Sequence, residues 1–147
     1  MKLAINKNME EVIIMWFWWF MFVCNLLIPV ILIVVGRMMW KHCPKKINWV
    51  FGYRTSRSMK NMDTWQFAHK YCGKLWWKLG WLSLIPSIVV QIPFYNSSEE
   101  VIGIIGLIIC IIQMVILIAS AFPTEAALKN TFTDDGTRRR ILNDGTE

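Results

Sequence analysis

No aspartate, glutamate, lysine or arginine occurs between Val12 and Gly36, and none between Val101 and Thr124. Leu79 to Ser98 is uncharged as well, though shorter and interrupted by Pro86 and Pro93. Each of the two longer gaps exceeds the roughly 20 apolar residues that cross a ~30 Å hydrocarbon layer. That excludes an ordinary soluble core, and three membrane spans are expected. A cleaved signal peptide is not expected either. No small-residue cleavage site follows the first run, which is too long for a signal h-region, and Glu10 and Glu11 stand directly before it. Cysteine is sparse: Cys24, Cys43, Cys72 and Cys110 form no CxxC pair, and two of them fall inside spans. Four free thiols are therefore expected. There is no internal repeat.

What is present is a 147-residue chain that is 55% hydrophobic and carries a formal net charge of +6, with its charges segregated. The expected fold class is all-α, an integral membrane protein with three transmembrane helices. Basic residues crowd the stretch from Arg37 to Lys78 and return at Lys129, Arg138, Arg139 and Arg140, whereas the connection "YNSSEE" has none. Lys2 and Lys7 weigh only slightly against this asymmetry, which places the N-terminus outside and the C-terminus in the cytoplasm. The expected segments are an outside N-terminus (1–11), transmembrane helix 1 (12–36) and a basic cytoplasmic loop (37–62). A helix entering transmembrane helix 2 (63–95), an outside loop (96–100), transmembrane helix 3 (101–122) and a cytoplasmic tail (123–147) follow. The positive charge then serves topology and contact with anionic lipid headgroups before it serves nucleic acid.

Within the spans, Trp16, Trp18 and Trp19 are expected in an aromatic belt at the outer headgroup boundary. Asn25 and Gln113 are intramembrane polar residues near the middle of their runs, and a hydrogen-bonded clasp between spans one and three is the main expectation for them. A polar pocket receiving part of a ligand is the alternative. Gly80, Ser83, Ser87, Gly103 and Gly106 offer small surfaces for close helix approach. Pro86 and Pro93 are expected to bend or shorten the second helix.

The stretch "GYRTSRSMKNMDTWQFAHKYCGK", residues 52–74, is the chemically distinctive part. The loop around it is too short for a core of its own, and Trp40, Trp49 and Phe51 are expected to hold it near the membrane. Asp63 is expected to cap a helix that continues into span two. Lys70, Lys74 and Lys78 recur at intervals of four on one face and repel one another, so they call for anions nearby, lipid phosphates first. Tyr53, Arg54, Thr55, Ser58, Lys60 and Asn61 mix a guanidinium fork, hydroxyls and an amide, which suits a folded polar pocket better than a lysine brush. A metal site from His42, Cys43, His69 and Cys72 lacks the usual second closely spaced pair. Hydrolysis by His69 with Ser58 or Asp63 lacks a local signature. Nucleic-acid binding is not needed, because the membrane interface accounts for the same basic and aromatic residues. Past span three, Pro123 closes the apolar run, "TEAALKNTF" has the pattern of a short amphipathic helix, and Ile141 to Glu147 read as disordered.

These residues give the chain a resemblance to the SdpI family of bacterial membrane proteins. It is carried by Gly52, Tyr53, Arg54, Thr55, Ser58, Met59, Lys60, Asn61, Thr64, Trp65, Ala68, Gly73 and Lys74. Pro123, Thr124, Glu125, Leu128, Lys129, Phe132, Gly136 and Arg138 add weaker support from the tail. His69 departs from the Asn associated with that position, which weakens a metal reading further. The resemblance implies a multi-pass protein of the bacterial cell membrane that confers immunity to a secreted, membrane-active peptide toxin, with no known reaction. The expected binding surface is Tyr53, Arg54, Thr55, Ser58, Lys60, Asn61, Trp65, His69 and Lys74, with no catalytic residue, metal or cofactor. A receptor that docks a soluble cytoplasmic regulator through its basic loop, and a small intramembrane enzyme, are the competing readings. Small-residue helix faces would also suit a homo-oligomer.

Overall fold

The computed structural model describes residues 2–48, 50 and 52–139, with side chains from residue 8 onward. The anchoring role expected of Trp49 and Phe51, and the tail from Arg140 to Glu147, lie outside the described residues. The chain is all-helical: α1 (Lys2–Lys41), α2 (Met62–Gln91), α3 (Glu99–Ala119) and α4 (Ala121–Thr131), with a 3-10 turn at Ile92–Phe94 between α2 and α3. Three of these helices are long and apolar enough to cross a membrane. At 1.5 Å per residue α1 is about 60 Å long, twice the hydrocarbon thickness.

Burial is inverted relative to a water-soluble bundle. Phe20, Leu82 and Ile118 are more than 60% exposed, whereas Asn25, Ser87, Gln91 and Gln113 are at most 5% exposed. Hydrocarbon solvates the apolar exterior, and polar side chains find partners only against one another in the interior.

The tightest pair is α1 with α2, and glycine makes it so. A Cβ at Gly73 would stand 2.5 Å from the Trp40 amide nitrogen and 2.7 Å from the Gly36 carbonyl oxygen. A Cβ at Gly36 would reciprocally meet the Trp77 nitrogen at 2.6 Å. The two backbones therefore touch at this crossing, and Gly80 continues the contact against Ile33 and Pro29. Gly106 sits against Met21, but Gly103 has nothing nearer than Phe17 at 3.9 Å, so it contributes no close approach.

Pro29 lies inside α1 without ending it. Having no N–H, it leaves the Asn25 carbonyl without a helical donor. Gln113 of α3 supplies one, its Nε2 donating to the Asn25 oxygen at 3.0 Å and also to Ser87 Oγ at 2.8 Å. The Asn25 side chain donates to Gln91 Oε1 at 3.2 Å. The clasp between spans one and three thus forms, and it also draws in Ser87 and Gln91 of α2. Pro86 is likewise inside α2, and Pro93 falls in the 3-10 turn that replaces the last α-helical turn. Among the tryptophans, Trp16 and Trp19 are exposed as a belt requires. Trp18 is not: it is 7% exposed and donates to the Gln91 carbonyl at 3.1 Å, closing the C-terminal end of α2.

Candidate functional site

The motif folds where the loop from α1 meets α2, at the end of the bundle that also holds α4. Its backbone is irregular because its own side chains out-compete a helix for the peptide groups. Ser58 Oγ accepts from the Thr55 amide at 2.8 Å and donates to the Tyr53 carbonyl at 2.9 Å, while Thr55 Oγ1 accepts from the Ser58 amide at 3.2 Å. Asn61 then starts α2, accepting from the amides of Asp63 and Thr64 at 3.0 and 2.9 Å. Thr64 Oγ1 answers by accepting from the Asn61 amide at 3.1 Å, completing a capping box. Asn61, rather than Asp63, is therefore the cap. Its backbone is extended, whereas Asp63 already lies within the first turn, which frees the Asp63 carboxylate to bind elsewhere.

That other partner is the segment after α4. Arg138 grips Asp63 in a two-pronged pair, Nε at 2.6 Å and Nη2 at 2.8 Å. Asn61 Nδ2 donates to the Gly136 carbonyl at 2.8 Å, and Lys60 Nζ donates to the Asp134 carbonyl. Arg57 pairs with Asp134 at 2.8 Å and Glu125 at 3.3 Å. Tyr53 donates to the Ala121 carbonyl at 3.2 Å, with Glu125 Oε2 at 3.5 Å. Burial, and then the Glu125 carboxylate, push the Tyr53 phenol up to about 12, so it remains a neutral donor. Beneath these bonds Ala68, Leu128 and Phe132 form a small apolar core flanked by Phe67 and Tyr53. Pro123 sits within the first turn of α4, and Ser120 just before the helix accepts from Trp76 Nε1 at 2.9 Å. Loop, α2 and tail form one packed module.

Trp65 and His69 lie at the centre of that module, both fully buried, with ring centroids 4.1 Å apart. His69 Nδ1 faces the Trp65 carbonyl at 2.8 Å, so it carries the ring proton and Nε2 holds the lone pair. Neither His69 Nε2 nor Trp65 Nε1 has a hydrogen-bond partner. Gly52 covers the imidazole at φ +116°, and a Cβ there would fall 1.8 Å from Nε2. Only glycine tolerates both that torsion and that proximity.

The predicted residues thus separate into groups. Tyr53, Thr55, Ser58, Lys60 and Asn61 are joined through the loop and tail, with Trp65 and His69 stacked below. Arg54 is exposed and, with Ile47, Thr55, Ser56 and Met59, lines an open hollow of about 630 Å³. Lys74 stands apart on the outer surface of the α1–α2 pair, where its Nζ and that of Lys41 lie 5.7 and 4.7 Å from the Trp40 ring. Asn25 and Gln113 are inside the bundle. Among the described residues no group of three or more His, Cys, Asp or Glu is placed to hold a metal, and all four cysteines are free.

Sequence reasoning did not foresee the partners Arg57, Asp63, Glu125, Asp134 and Arg138. The available signal was opposite charge in two segments distant along the chain, basic Arg57 and acidic Asp63 in one, acidic Glu125 and Asp134 and basic Arg138 in the other. The model of the SdpI/YfhL protein family matches residues 45–124, more than half of the chain, from within the loop through α3 to the first turn of α4. No curated protein and no solved structure matches.

Proposed function

Because this chain belongs to the SdpI/YfhL protein family, we propose that it is a bacterial membrane immunity protein that resists a secreted, membrane-active peptide toxin by binding rather than by catalysis. In this reading the N-terminus lies outside, and the motif module with its basic surroundings lies in the cytoplasm against anionic headgroups. The observation that carries the non-catalytic reading is the occupation of the motif's polar groups. Ser58 donates to the Tyr53 carbonyl, Asn61 caps α2 and holds the tail, and Lys60 reaches the Asp134 carbonyl, while among the described residues no hydroxyl or thiol is hydrogen-bonded to His69 Nε2.

A second reading is favoured by the same geometry. Loop and tail form one folded surface, which suits a receptor that docks a soluble cytoplasmic regulator and reports the toxin.

The test is survival of a toxin-sensitive bacterium expressing the chain, challenged with a panel of secreted membrane-active peptides. Arg54→Ala, an exposed position, should be examined beside the parent at matched membrane abundance. Resistance in the parent supports immunity, and its loss in the variant places an interaction at the module surface. If no peptide is resisted, the immunity reading falls and the receptor reading takes its place. Abrupt loss of protection on changing the buried His69, with abundance intact and Arg54→Ala still protective, would instead indicate an enzyme.

A further inference from the structure

On the side of the bundle away from α1, α2 and α3 diverge and leave a lipid-facing groove of about 380 Å³, walled by residues such as Leu82, Pro86 and Ile108. Its polar groups are Ser83, Ser87 and Gln113, and their donors are all engaged internally. Ser83 Oγ donates to the Leu79 carbonyl and Ser87 Oγ to the Ser83 carbonyl, each at 2.7 Å. The two hydrogens of Gln113 Nε2 go to Asn25 and Ser87. Acceptors remain. Gln113 is 2% exposed, and its Oε1 is buried with no partner. Pro86, lacking an N–H, deprives the Leu82 carbonyl on the groove wall of its helical donor. An unsatisfied acceptor surrounded by hydrocarbon is costly, since no water is present to repair it.

Depth distinguishes the possible occupants. Gln113 lies at the midpoint of the uncharged run Val101–Thr124. At that level acyl chains carry no N–H or O–H, and the hydroxyls of lipids stay near the headgroups. A peptide segment is the membrane component that brings donors to the middle of the bilayer. We infer that this groove binds a membrane-inserted apolar peptide segment that presents a hydrogen-bond donor to Gln113 and Leu82. The inference deepens the immunity reading and rests on it for the identity of the peptide as a toxin. It moves recognition from the motif module into the membrane, where a peptide arriving from outside can reach it.

The test uses the full chain in vesicles of phosphatidylcholine and phosphatidylglycerol and follows fluorescence transfer to synthetic Leu/Ala transmembrane peptides of about 20 residues. One peptide carries a single central Asn, and its counterpart is wholly apolar. The Asn peptide should bind roughly three- to thirty-fold more tightly, the range expected of one interhelical hydrogen bond. Ile108→Phe and Val90→Phe, which fill opposite walls at lipid-exposed positions, should each abolish binding while helicity is retained. Equal binding of the two peptides, or unchanged binding in both filled variants, overturns the inference. So does transfer between labelled copies of the protein that competes with the peptide and disappears in Ile108→Phe, because the groove would then belong to a second copy. Full toxin protection by the filled variants sinks the groove while the immunity reading stands. Failure of the parent to protect, with Asn-peptide binding intact, sinks the immunity reading and leaves the groove.

Discussion

Gly73→Ala tests the physical claim on which the whole bundle rests, that α1 and α2 touch backbone to backbone. The added methyl would lie 2.5 Å from the Trp40 nitrogen, 2.7 Å from the Gly36 oxygen and 3.0 Å from the Met39 carbonyl carbon. All three are backbone atoms, so no rotamer change relieves the clash. Ordinary contact distances are about 3.5–4.0 Å, so the helices must part by about 1 Å at the crossing. A gap of that size forfeits a quarter to a half of each dispersion contact nearby, and overpacking of this kind costs about 1–3 kcal/mol. Alanine's better helix propensity returns up to about 1 kcal/mol. The net expectation is a loss of about 1–2 kcal/mol, a five- to thirty-fold fall in the folded-to-unfolded ratio. Gly103→Ala is the matched control, since its methyl meets nothing closer than Phe17 at 3.9 Å; it should be neutral or slightly stabilising. Reversible unfolding of the two variants and the parent in mixed micelles, followed by far-UV circular dichroism, measures both. Equal stability of Gly73→Ala and the parent, or equal damage from Gly103→Ala, would refute the argument from backbone contact.

Three further outcomes follow from particular bonds. Gln113→Leu should cost about 0.6–2 kcal/mol by leaving the Asn25 carbonyl without a donor, and much less in a Pro29→Ala background, where the helix regains its own N–H; a double-mutant cycle in the same unfolding assay reads the difference. Asn61→Ala should remove the α2 cap, at about 0.5–2 kcal/mol, and also release the Gly136 carbonyl, so amide exchange in residues 132–138 should accelerate; unchanged exchange there would show that the tail is held without it. Gly52→Ala should reduce the yield of folded protein through both its torsion and its overlap with His69, and His69→Ala should restore part of that yield by vacating the space. Failure of that rescue would mean the positive φ alone sets the requirement for glycine.

Much of the membrane architecture follows from sequence alone, because the solvent imposes it. Uncharged runs of 20 residues and more have few alternatives to a membrane helix, and Asn25 and Gln113 in such runs must look inward for partners. The identity of the conspicuous block at residues 52–74 was legible too, through a string of specific residues that no periodicity requires. What sequence could not supply was pairing between distant segments. Asp63 looks like a helix cap because Asp is a good one, yet Asn61 takes that place once Thr64 completes the capping box and Arg138 claims the carboxylate. Trp18 looks like its exposed neighbours Trp16 and Trp19, yet its helical position turns it inward to the Gln91 carbonyl. Pro29 carries no sign of its partner, because the donor that replaces its missing N–H comes from Gln113, more than 80 residues on. The polar motif reads as a free binding surface until α4 and the tail are placed against it, and then most of its donors are engaged. Local chemistry and solvent set which segments become helices and which face lipid; only the packed structure decided which of the remaining polar groups have partners and which are left to bind something else.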